Sequence, residues 1–346
     1  MSADTVTTGM AGRGRRRSIS SLVVAMEEST VLAALIILVV LNAIFTPGFL
    51  TAGNISNVLV QSVFLVILGI AMTFVLVGGG IDLSIGSTMG LSAAFCVYSI
   101  NHGVPVAIAL LIGLAVGAAV GLFNSYFITK LGLADFIVTL GTLSLVRGIV
   151  ELMTAHTRLT SESESFRFLA GGAVLGIPTP VLIAVAVALV AAITLAKTPM
   201  GRSIYAVGLN PASSHLAGVR VQRVRVGVYV ISGVLAALGG ILLASRLSSV
   251  HPALGTGYEL TAIAAAAVGG TSLAGGRGTV LGTVLGALLL GVLQNSLSLL
   301  KVNAFWFQII TGLMIVGAVL LDRAIRQLVK RQVLTADLSA QAAGPQ

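Results

Sequence analysis

Ten long apolar runs constrain the fold of this chain more than any other feature of its sequence. A helix needs about 20 apolar residues to cross a hydrocarbon core that is about 30 Å thick. Charged residues make up only 9% of the chain, whereas soluble domains carry roughly 25%. We therefore expect an all-α, polytopic membrane protein with about ten transmembrane helices and glycine-rich breaks between some of them. The runs fall at about residues 29–45, 54–77, 83–101, 104–128, 134–155, 180–196, 226–246, 259–275, 279–300 and 304–322.

The basic residues indicate how these helices are oriented. The net charge is +9, but the Lys and Arg residues lie mostly at the ends of apolar runs, and cytoplasmic loops are enriched in these residues. If the RGRRR tail lies inside, ten crossings also place Lys130, Arg277 and the segment 197–225 inside. Both termini are then cytoplasmic, and the loop that carries Glu162 and Glu164 lies on the outer side. We read the basic residues as topology signals and expect no nucleic-acid partner.

The eighth apolar run, residues 259–275, is the shortest candidate. Its clearly apolar part covers about 12 residues, or roughly 18 Å of helix, so we expect it to be broken or partly re-entrant. If it did not cross, the basic C-terminal tail would lie outside, against the charge bias. We therefore favour a crossing, and the exact helix count near this run stays open.

The stretch GGGIDLSIGSTMG places a carboxylate between two apolar runs. We predict a helix break here, with Asp82 in the N-cap or first turn of the next helix. A carboxylate in that place accepts hydrogen bonds from free backbone N–H groups and meets the positive end of the helix dipole. A direct role of Asp82 in the passage of a substrate or ion stays an alternative. The break motif comprises Gly79, Gly80, Asp82, Ser84 and Gly86.

A second glycine-rich stretch, GGTSLAGGRGTVLG, resembles the first break. The parity of the crossings puts both breaks on the same side of the membrane. Gly278, Gly282 and Gly286 recur every four residues, a spacing that lets helix backbones approach closely. We interpret these glycines as sites of internal packing, with a subunit contact along the pore as the alternative.

Five uncharged amides lie within the predicted helices, where hydrocarbon cannot satisfy their hydrogen bonds. They are expected to face the protein interior or a water-filled path. Whether they bond to neighbouring helices or line a substrate path is left open by the residues alone. These candidates are Asn57, Gln61, Asn124, Gln294 and Asn295.

No pattern in the sequence points to chemistry on a substrate. The phosphate-binding loop GxxxxGK[ST] is absent, as are a nucleophile elbow and a convincing Ser, His and Asp arrangement. The four His residues lack ligand spacing, and the chain has a single Cys, Cys96. We therefore expect neither a catalytic site nor a metal, cofactor or disulfide.

The segment 197–225 is too polar to span the membrane, and it contains GRSIYAVGLNPASSHLAGV. We expect short helices here, separated at Gly208 and Gly218. The segment is either a solvated basic loop or a surface for a partner.

Three motifs together resemble the permease subunits of bacterial ABC importers for ribose and related monosaccharides. They are GGGIDLSIGSTMGLSAA, GRSIYAVGLNPASSHLAGVRVQRVR and AIAAAAVGGTSLAGGRGTVLGTVLGALLLGVLQNSL, and the resemblance runs in order from about residue 30 to 325. It implies a pair of permease chains, identical or different, in the bacterial cytoplasmic (inner) membrane. A separate ATP-binding ABC subunit would supply energy, and a periplasmic or lipid-anchored sugar-binding protein would deliver the solute.

In such permeases the long cytoplasmic loop would dock on the ATPase and transmit its closure. Here the loop reads NPASSHLAGV, whereas the family usually has two alanines after the asparagine and then a serine–glycine pair. Pro211 and His215 therefore put the identity of the partner ATPase in question. The positions to which the resemblance assigns coupling are Tyr205, Gly208, Asn210 and Gly218.

The resemblance also divides the chain into three parts. Residues 1–28 form a basic cytoplasmic tail that we expect to be disordered, and the first helix reads as an uncleaved anchor. Residues 29–325 form the transmembrane permease domain, with 197–225 as its coupling loop. Residues 326–346 form a cytoplasmic C-terminal tail.

Two other functions are weighed against import of a monosaccharide by alternating access. The same importer class could carry an amino acid, a nucleoside or a signalling sugar derivative, since related permeases share the DLS and glycine features. A stand-alone secondary transporter is disfavoured because ion-coupled carriers need paired ionisable groups near the bilayer centre. Only Asp82, Arg147 and Glu151 come close to that position. The sequence does not identify the sugar.

Overall fold

The fold is known from a computed structural model that describes residues 28–155, 157–303, 305–321 and 323. Apart from Glu28, the predicted tails 1–28 and 326–346 lie outside these residues. Helices make up nearly all the regular structure of the described part. They are α1 Glu28–Phe45, α2 Ala52–Val77, α3 Ile85–Asn101, α4 Val106–Thr129, α5 Asp135–Thr154, α6 Glu164–Gly171, α7 Thr179–Lys197, α8 Pro199–Leu209, α9 Pro211–Leu216, α10 Val221–Leu247, α11 Tyr258–Val268, α12 Val280–Leu299 and α13 Phe305–Leu321.

Two short antiparallel ladders lie in the loops between helices. One pairs β1 Leu159–Thr160 with β4 Ser249–Val250, and the other pairs β2 Ala173–Val174 with β3 Ile177–Pro178. The sequence analysis predicted neither ladder, because a strand of two residues shows no alternating pattern. The prediction of an all-α polytopic fold is confirmed.

Seven of the described helices are long and apolar enough to cross a membrane: α1, α2, α4, α5, α7, α10 and α12. The three remaining predicted spans correspond to shorter helices. α3 has 17 residues, α11 has 11 residues, and the described part of α13 covers fewer than 18 residues.

The predicted run 259–275 was too long, because α11 ends at Val268. Its 11 residues give about 16 Å of helix, roughly half of a hydrocarbon core. Gly269 follows as the C-cap, and Gly270 adopts the left-handed conformation at φ 86°. The expectation of a broken segment is therefore confirmed. Irregular backbone of this kind is tolerated at membrane depth where protein surrounds it.

α2 lies at the centre of the fold and α1 at its edge. In the most apolar window of each helix, 89% of the residues of α2 are buried but only 11% of those of α1. α10, α11 and α12 pack directly against α2, and α3 packs against both α4 and α10. From Ser62 to Val77 every residue of α2 is buried, as expected for a helix enclosed within a bundle.

α4 and α10 approach each other at glycines. A Cβ atom added to Gly117 would overlap the carbonyl oxygen of Gly233, and one added to Gly233 would overlap that of Gly117. One turn further along α4, Gly121 lies against the carbonyl of Tyr229 in the same way. The two backbones are therefore in direct contact, which is how small residues join transmembrane helices.

Contacts between loops show which loops lie at the same end of the bundle. The β1–β4 ladder joins the α5–α6 loop to the α10–α11 loop, and the Asn101 amide donates to the Thr160 carbonyl at 2.8 Å. These loops were all predicted to lie outside. At the other end of the bundle, Gly276 N–H donates to the Val77 carbonyl at 2.9 Å. The second contact joins the two glycine breaks and agrees with their predicted placement on one side.

Candidate functional site

The first break begins where α2 ends at Val77. Gly79 adopts φ 80°, and its N–H donates to the Leu76 carbonyl, while Gly80 N–H donates to the Val75 carbonyl, both at 2.9 Å. This is the Schellman motif, which satisfies the last carbonyls of a helix and favours glycine at the left-handed position.

The second break ends α11 with the same motif. Gly270 N–H donates to the Ala267 carbonyl at 3.0 Å, and Thr271 N–H donates to the Ala266 carbonyl at 2.9 Å. The likeness between the two glycine stretches therefore reflects one shared backbone geometry. α12 then begins at Val280, after its N-cap Thr279, whose Oγ1 accepts from Gly282 N–H at 3.0 Å.

Asp82 lies at the centre of a buried hydrogen-bond network, with 2% of its surface exposed. Its Oδ1 accepts from the N–H of Ser84 at 3.0 Å and from the Ser84 hydroxyl at 2.6 Å. Its Oδ2 accepts from the hydroxyl of Ser232 on α10 at 2.7 Å. The Asn124 amide of α4 donates to Ser84 Oγ at 2.8 Å. One carboxylate thereby ties the first break to α4 and α10.

The predicted capping position of Asp82 needs correction, because Ser84 occupies the N-cap of α3. Asp82 lies two residues earlier and bonds to the N–H of Ser84, so it stabilises the turn that leads into the helix. Gly86 also lies inside α3 and not in the break. Within α3 it packs against Gly255 and Glu259.

The structure does not gather the five amide candidates into one site. Asn124 is buried at the first break, and its Oδ1 has no hydrogen-bond partner among the described residues. Asn295 instead forms a reciprocal amide pair with Asn54, with N···O distances of 2.8 and 3.1 Å. Asn54 lies near the start of α2, roughly 35 Å of helix away from the first break. Of the others, Asn57 is exposed, and Gln61 and Gln294 are half-buried.

Three residues with structural roles at these sites were missed by the sequence analysis. Ser232 and Asn54 carry no local signal, since their partners are distant in the chain. Asp135 does carry one, as an acid at the start of an apolar run. Its Oδ2 accepts from Ile81 N–H at 2.9 Å and from the Tyr229 hydroxyl at 3.4 Å, so it also holds the first break.

The polar segment between α7 and α10 forms two short helices. Thr198 Oγ1 accepts from Gly201 N–H at 3.1 Å at the start of α8, and Asn210 Oδ1 accepts from Ser213 N–H at 3.0 Å at the start of α9. Each cap is followed by proline at the first helical position, which suits that position because its N–H would be free. Gly218 adopts φ 83° after α9, as expected of a helix-ending glycine.

Gly208 was expected to interrupt the helices but lies inside α8. It allows close contact instead: an added Cβ would overlap Val77 O and would lie 2.7 Å from Gly276 N. We call this contact region the α8 junction. It comprises Val77, Gly79, Tyr205, Gly208, Gly275, Gly276 and Gly278.

Further contacts of the α8 junction come from its glycines and its tyrosine. An added Cβ on Gly79 would lie 3.3 Å from Gly208 Cα, and one on Gly275 would lie 2.6 Å from the Gly208 carbonyl oxygen. The Tyr205 hydroxyl donates to the Gly278 carbonyl at 2.7 Å. Of the residues that the resemblance assigns to coupling, Gly208 thus touches both helix breaks, and Tyr205 touches the second.

Metal-ligating side chains do not cluster in the described part of the chain: it contains no group of three or more His, Cys, Asp or Glu residues placed to hold an ion. The other side chains in the buried network around Asp82 are those of serine and asparagine.

Comparison with known proteins gives a consistent result. The model of the family described as branched-chain amino acid transport system, permease component, matches residues 54–319. The chain is 40% identical over 301 residues to the ribose import permease protein RbsC of Escherichia coli (strain K12), covering 86% of this chain and 94% of that protein.

Two further relatives have other names. The D-allose transport system permease protein AlsC of Escherichia coli (strain K12) is 36% identical over 291 residues, which cover 84% of this chain and 89% of that protein. The autoinducer 2 import system permease protein LsrC of Enterobacter sp. (strain 638) is 36% identical over 305 residues, which cover 88% of this chain and 89% of that protein.

Proposed function

The chain belongs to the branched-chain amino acid transport system permease family, and on that premise we propose that it is the transmembrane permease subunit of an ATP-driven ABC importer for a monosaccharide. It is a multi-pass protein of the bacterial cytoplasmic membrane. The solute is ribose or a related sugar. Translocation uses alternating access, in which the site opens to one side of the membrane at a time.

One observation carries the proposal: 40% identity to a ribose import permease extends over 86% of the chain. The match to a D-allose permease over 84% of the chain supports the same solute class. The chain contains no GxxxxGK[ST] loop, so the energy comes from a separate ATP-binding subunit. A sugar-binding protein on the outer side delivers the solute, and a second permease chain completes the path.

The segment with α8 and α9 is proposed to receive the movement of the ATPase. Its caps and prolines give it a defined shape outside the apolar spans, and α8 touches both helix breaks through Gly208. Tyr205 and Gly208 lie on the side of α8 that contacts the helix breaks. Asn210 and Gly218 shape α9, where Asn210 is exposed and Gly218 has open space around it.

A second solute class is favoured by one specific observation. The autoinducer 2 import permease is 36% identical over 88% of the chain, close to the value for the D-allose permease. A signalling sugar derivative is therefore the alternative cargo. The name of the family refers to amino acids. We nevertheless propose a sugar or a sugar derivative as the cargo, because the three relatives are named as permeases for ribose, D-allose and autoinducer 2.

Co-purification tests the proposal. The tagged full-length chain is purified from its native membrane in mild detergent, and accompanying proteins are identified by mass spectrometry. We expect an ATPase and a soluble binding protein, whose ligand is then measured by calorimetry with ribose, allose, an amino acid and autoinducer 2 as probes. A chain that is stable but carries no ATPase, and that takes up sugar in liposomes under an ion gradient alone, would overturn the proposal.

A further inference from the structure

We infer that the C-terminal half of α8 clamps the two helix breaks together through the α8 junction, so that a movement of α8 reaches α3 and α12 at the same time. This inference rests on the proposed function, because α8 belongs to the segment that we propose receives the movement of the ATPase. Tyr205 is then a positioning residue whose hydroxyl couples α8 to the start of α12.

The first observation is a backbone bond between the breaks. The Schellman motif at the end of α2 uses the carbonyls of Leu76 and Val75 and leaves that of Val77 free. Gly276 N–H, from the second break, donates to this carbonyl at 2.9 Å. The two breaks are thus joined by main-chain atoms, although about 200 residues of chain separate them.

The second observation is that Gly208 lies directly over this bond. A Cβ at this position would overlap Val77 O and would lie 2.7 Å from Gly276 N. No side chain therefore separates the backbone of α8 from the two breaks. Closely packed protein interiors have low compressibility and transmit strain, so displacement of α8 must shift both breaks or separate from them.

The third observation is the hydrogen bond from the Tyr205 hydroxyl to the Gly278 carbonyl, at 2.7 Å. Gly278 lies two residues before the first residue of α12, Val280. Burial raises the pKa of Tyr205 above its usual value, so the hydroxyl keeps its proton and remains a donor. The bond fixes one turn of α8 to the start of α12.

Each break leads into a helix that is tied further into the bundle. The first leads through Asp82 to Ser232 of α10. The second leads to Thr279, the N-cap of α12. Its hydroxyl donates to Oε1 of Glu28, the first residue of α1, with an O···O distance of 2.5 Å. A shift of the α8 junction thus has a route through packed atoms to α3, α10 and α12.

Hydrogen exchange tests the clamp in the full chain without any partner. The Tyr205→Phe variant, in lipid nanodiscs, keeps the ring and removes the donor. We expect amide exchange in residues 275–279 to be about fivefold faster than in the original chain, as the loss of one net hydrogen bond implies. Tyr126→Phe is the matched control, since Tyr126 is 55% exposed on α4. Equal exchange in Tyr205→Phe and the original chain would overturn the inference.

Transport by the assembled importer tests the coupling. The number of solute molecules moved per ATP hydrolysed is measured with the co-purified partners. Tyr205→Phe, which removes one hydrogen bond, is expected to lower this ratio about fivefold while ATP hydrolysis continues. Gly208→Ala, whose added Cβ would overlap Val77 O, is expected to lower it as well, and Gly53→Ala, where an added Cβ meets nothing within 4 Å, is expected to keep it.

A purely structural role for these residues would reduce uptake and hydrolysis in proportion, and that result would contradict the coupling role. If the original chain with its partners shows no ATP-driven uptake, the proposed function fails. The exchange experiment still decides whether the clamp exists, so the two failures are distinguishable.

Discussion

For Asp82, the sequence predicted a structural use near the start of α3 but not its exact position relative to that helix. A carboxylate between apolar runs needs a local structural use or a functional one, and the sequence indicated a use near a helix start. The structure adds Ser232, which lies 150 residues away in the chain and donates to Asp82 Oδ2. No sequence pattern announces such a partner, because serine is common in transmembrane helices and carries no periodic signal.

Substitution of Asp82 should therefore depend on whether an acceptor remains. Asp82→Leu leaves the Ser84 N–H and the Ser84 and Ser232 hydroxyls without their acceptor, and each buried unsatisfied group costs about 1–3 kcal/mol. Asp82→Asn keeps one carbonyl oxygen and should cost about 1 kcal/mol. Thermal unfolding of the purified variants in detergent measures the difference. Equal stability of the Leu and Asn variants would mean that the network contributes nothing.

At the scale of helices, glycine decides which elements touch. The α4–α10 contact at Gly117 and Gly233 and the α8 junction both depend on backbone atoms meeting without a Cβ between them. The sequence analysis recognised glycine spacing at Gly282 and Gly286 and assigned it to packing. Those glycines do pack closely, against Gly269 and Ala265 of the preceding segment. The spacing did not reveal the partner helix, because one glycine pattern suits any close neighbour.

The α4–α10 contact should tolerate no added side chain. Gly117→Leu forces the two backbones apart, since even a Cβ would overlap Gly233 O. Overpacking of this kind costs about 1–3 kcal/mol or more. We expect a lower unfolding temperature and a lower yield of monodisperse protein for Gly117→Leu. Gly312→Leu is the control, because an added Cβ there meets nothing within 4 Å. A similar loss in both variants would indicate that leucine itself, not the contact, is responsible.

At the scale of the whole molecule, the contacts between loops define two ends of the bundle. The β1–β4 ladder marks one end, and the α8 junction marks the other. Cytoplasmic placement of the second end is a prediction from the distribution of Lys and Arg. The single native cysteine, Cys96, has 0% of its surface exposed, so the chain is suited to labelling at introduced cysteines.

Labelling with a membrane-impermeant maleimide tests the orientation in intact cells that express the chain without its partners. Leu175→Cys, at a position 98% exposed between β2 and β3, should be labelled from outside. Leu216→Cys, at a position 88% exposed at the end of α9, should be labelled only after the membrane is permeabilised. The original chain, with Cys96 alone, should stay unlabelled throughout. The reverse pattern for the two variants would invert the topology.

The sequence by itself determined the class of this protein, the order of its apolar helices and the two glycine-rich breaks, but its predicted break at Gly208 was wrong because Gly208 lies inside α8. These are local properties: a helix satisfies its own backbone and needs about 20 apolar residues to cross a bilayer, and a glycine in the left-handed conformation ends a helix at its own position. The family resemblance was also readable, because its motifs are continuous in the chain.

Only the tertiary structure decided which distant groups meet. It paired Asn54 with Asn295, 241 residues apart, brought Ser232 of α10 to Asp82, and brought Gly208 of α8 against both breaks. The physical reason is that each of these contacts depends on how whole helices pack. A serine, an amide or a glycine can meet many partners, and the global arrangement of the bundle selects the one that it meets.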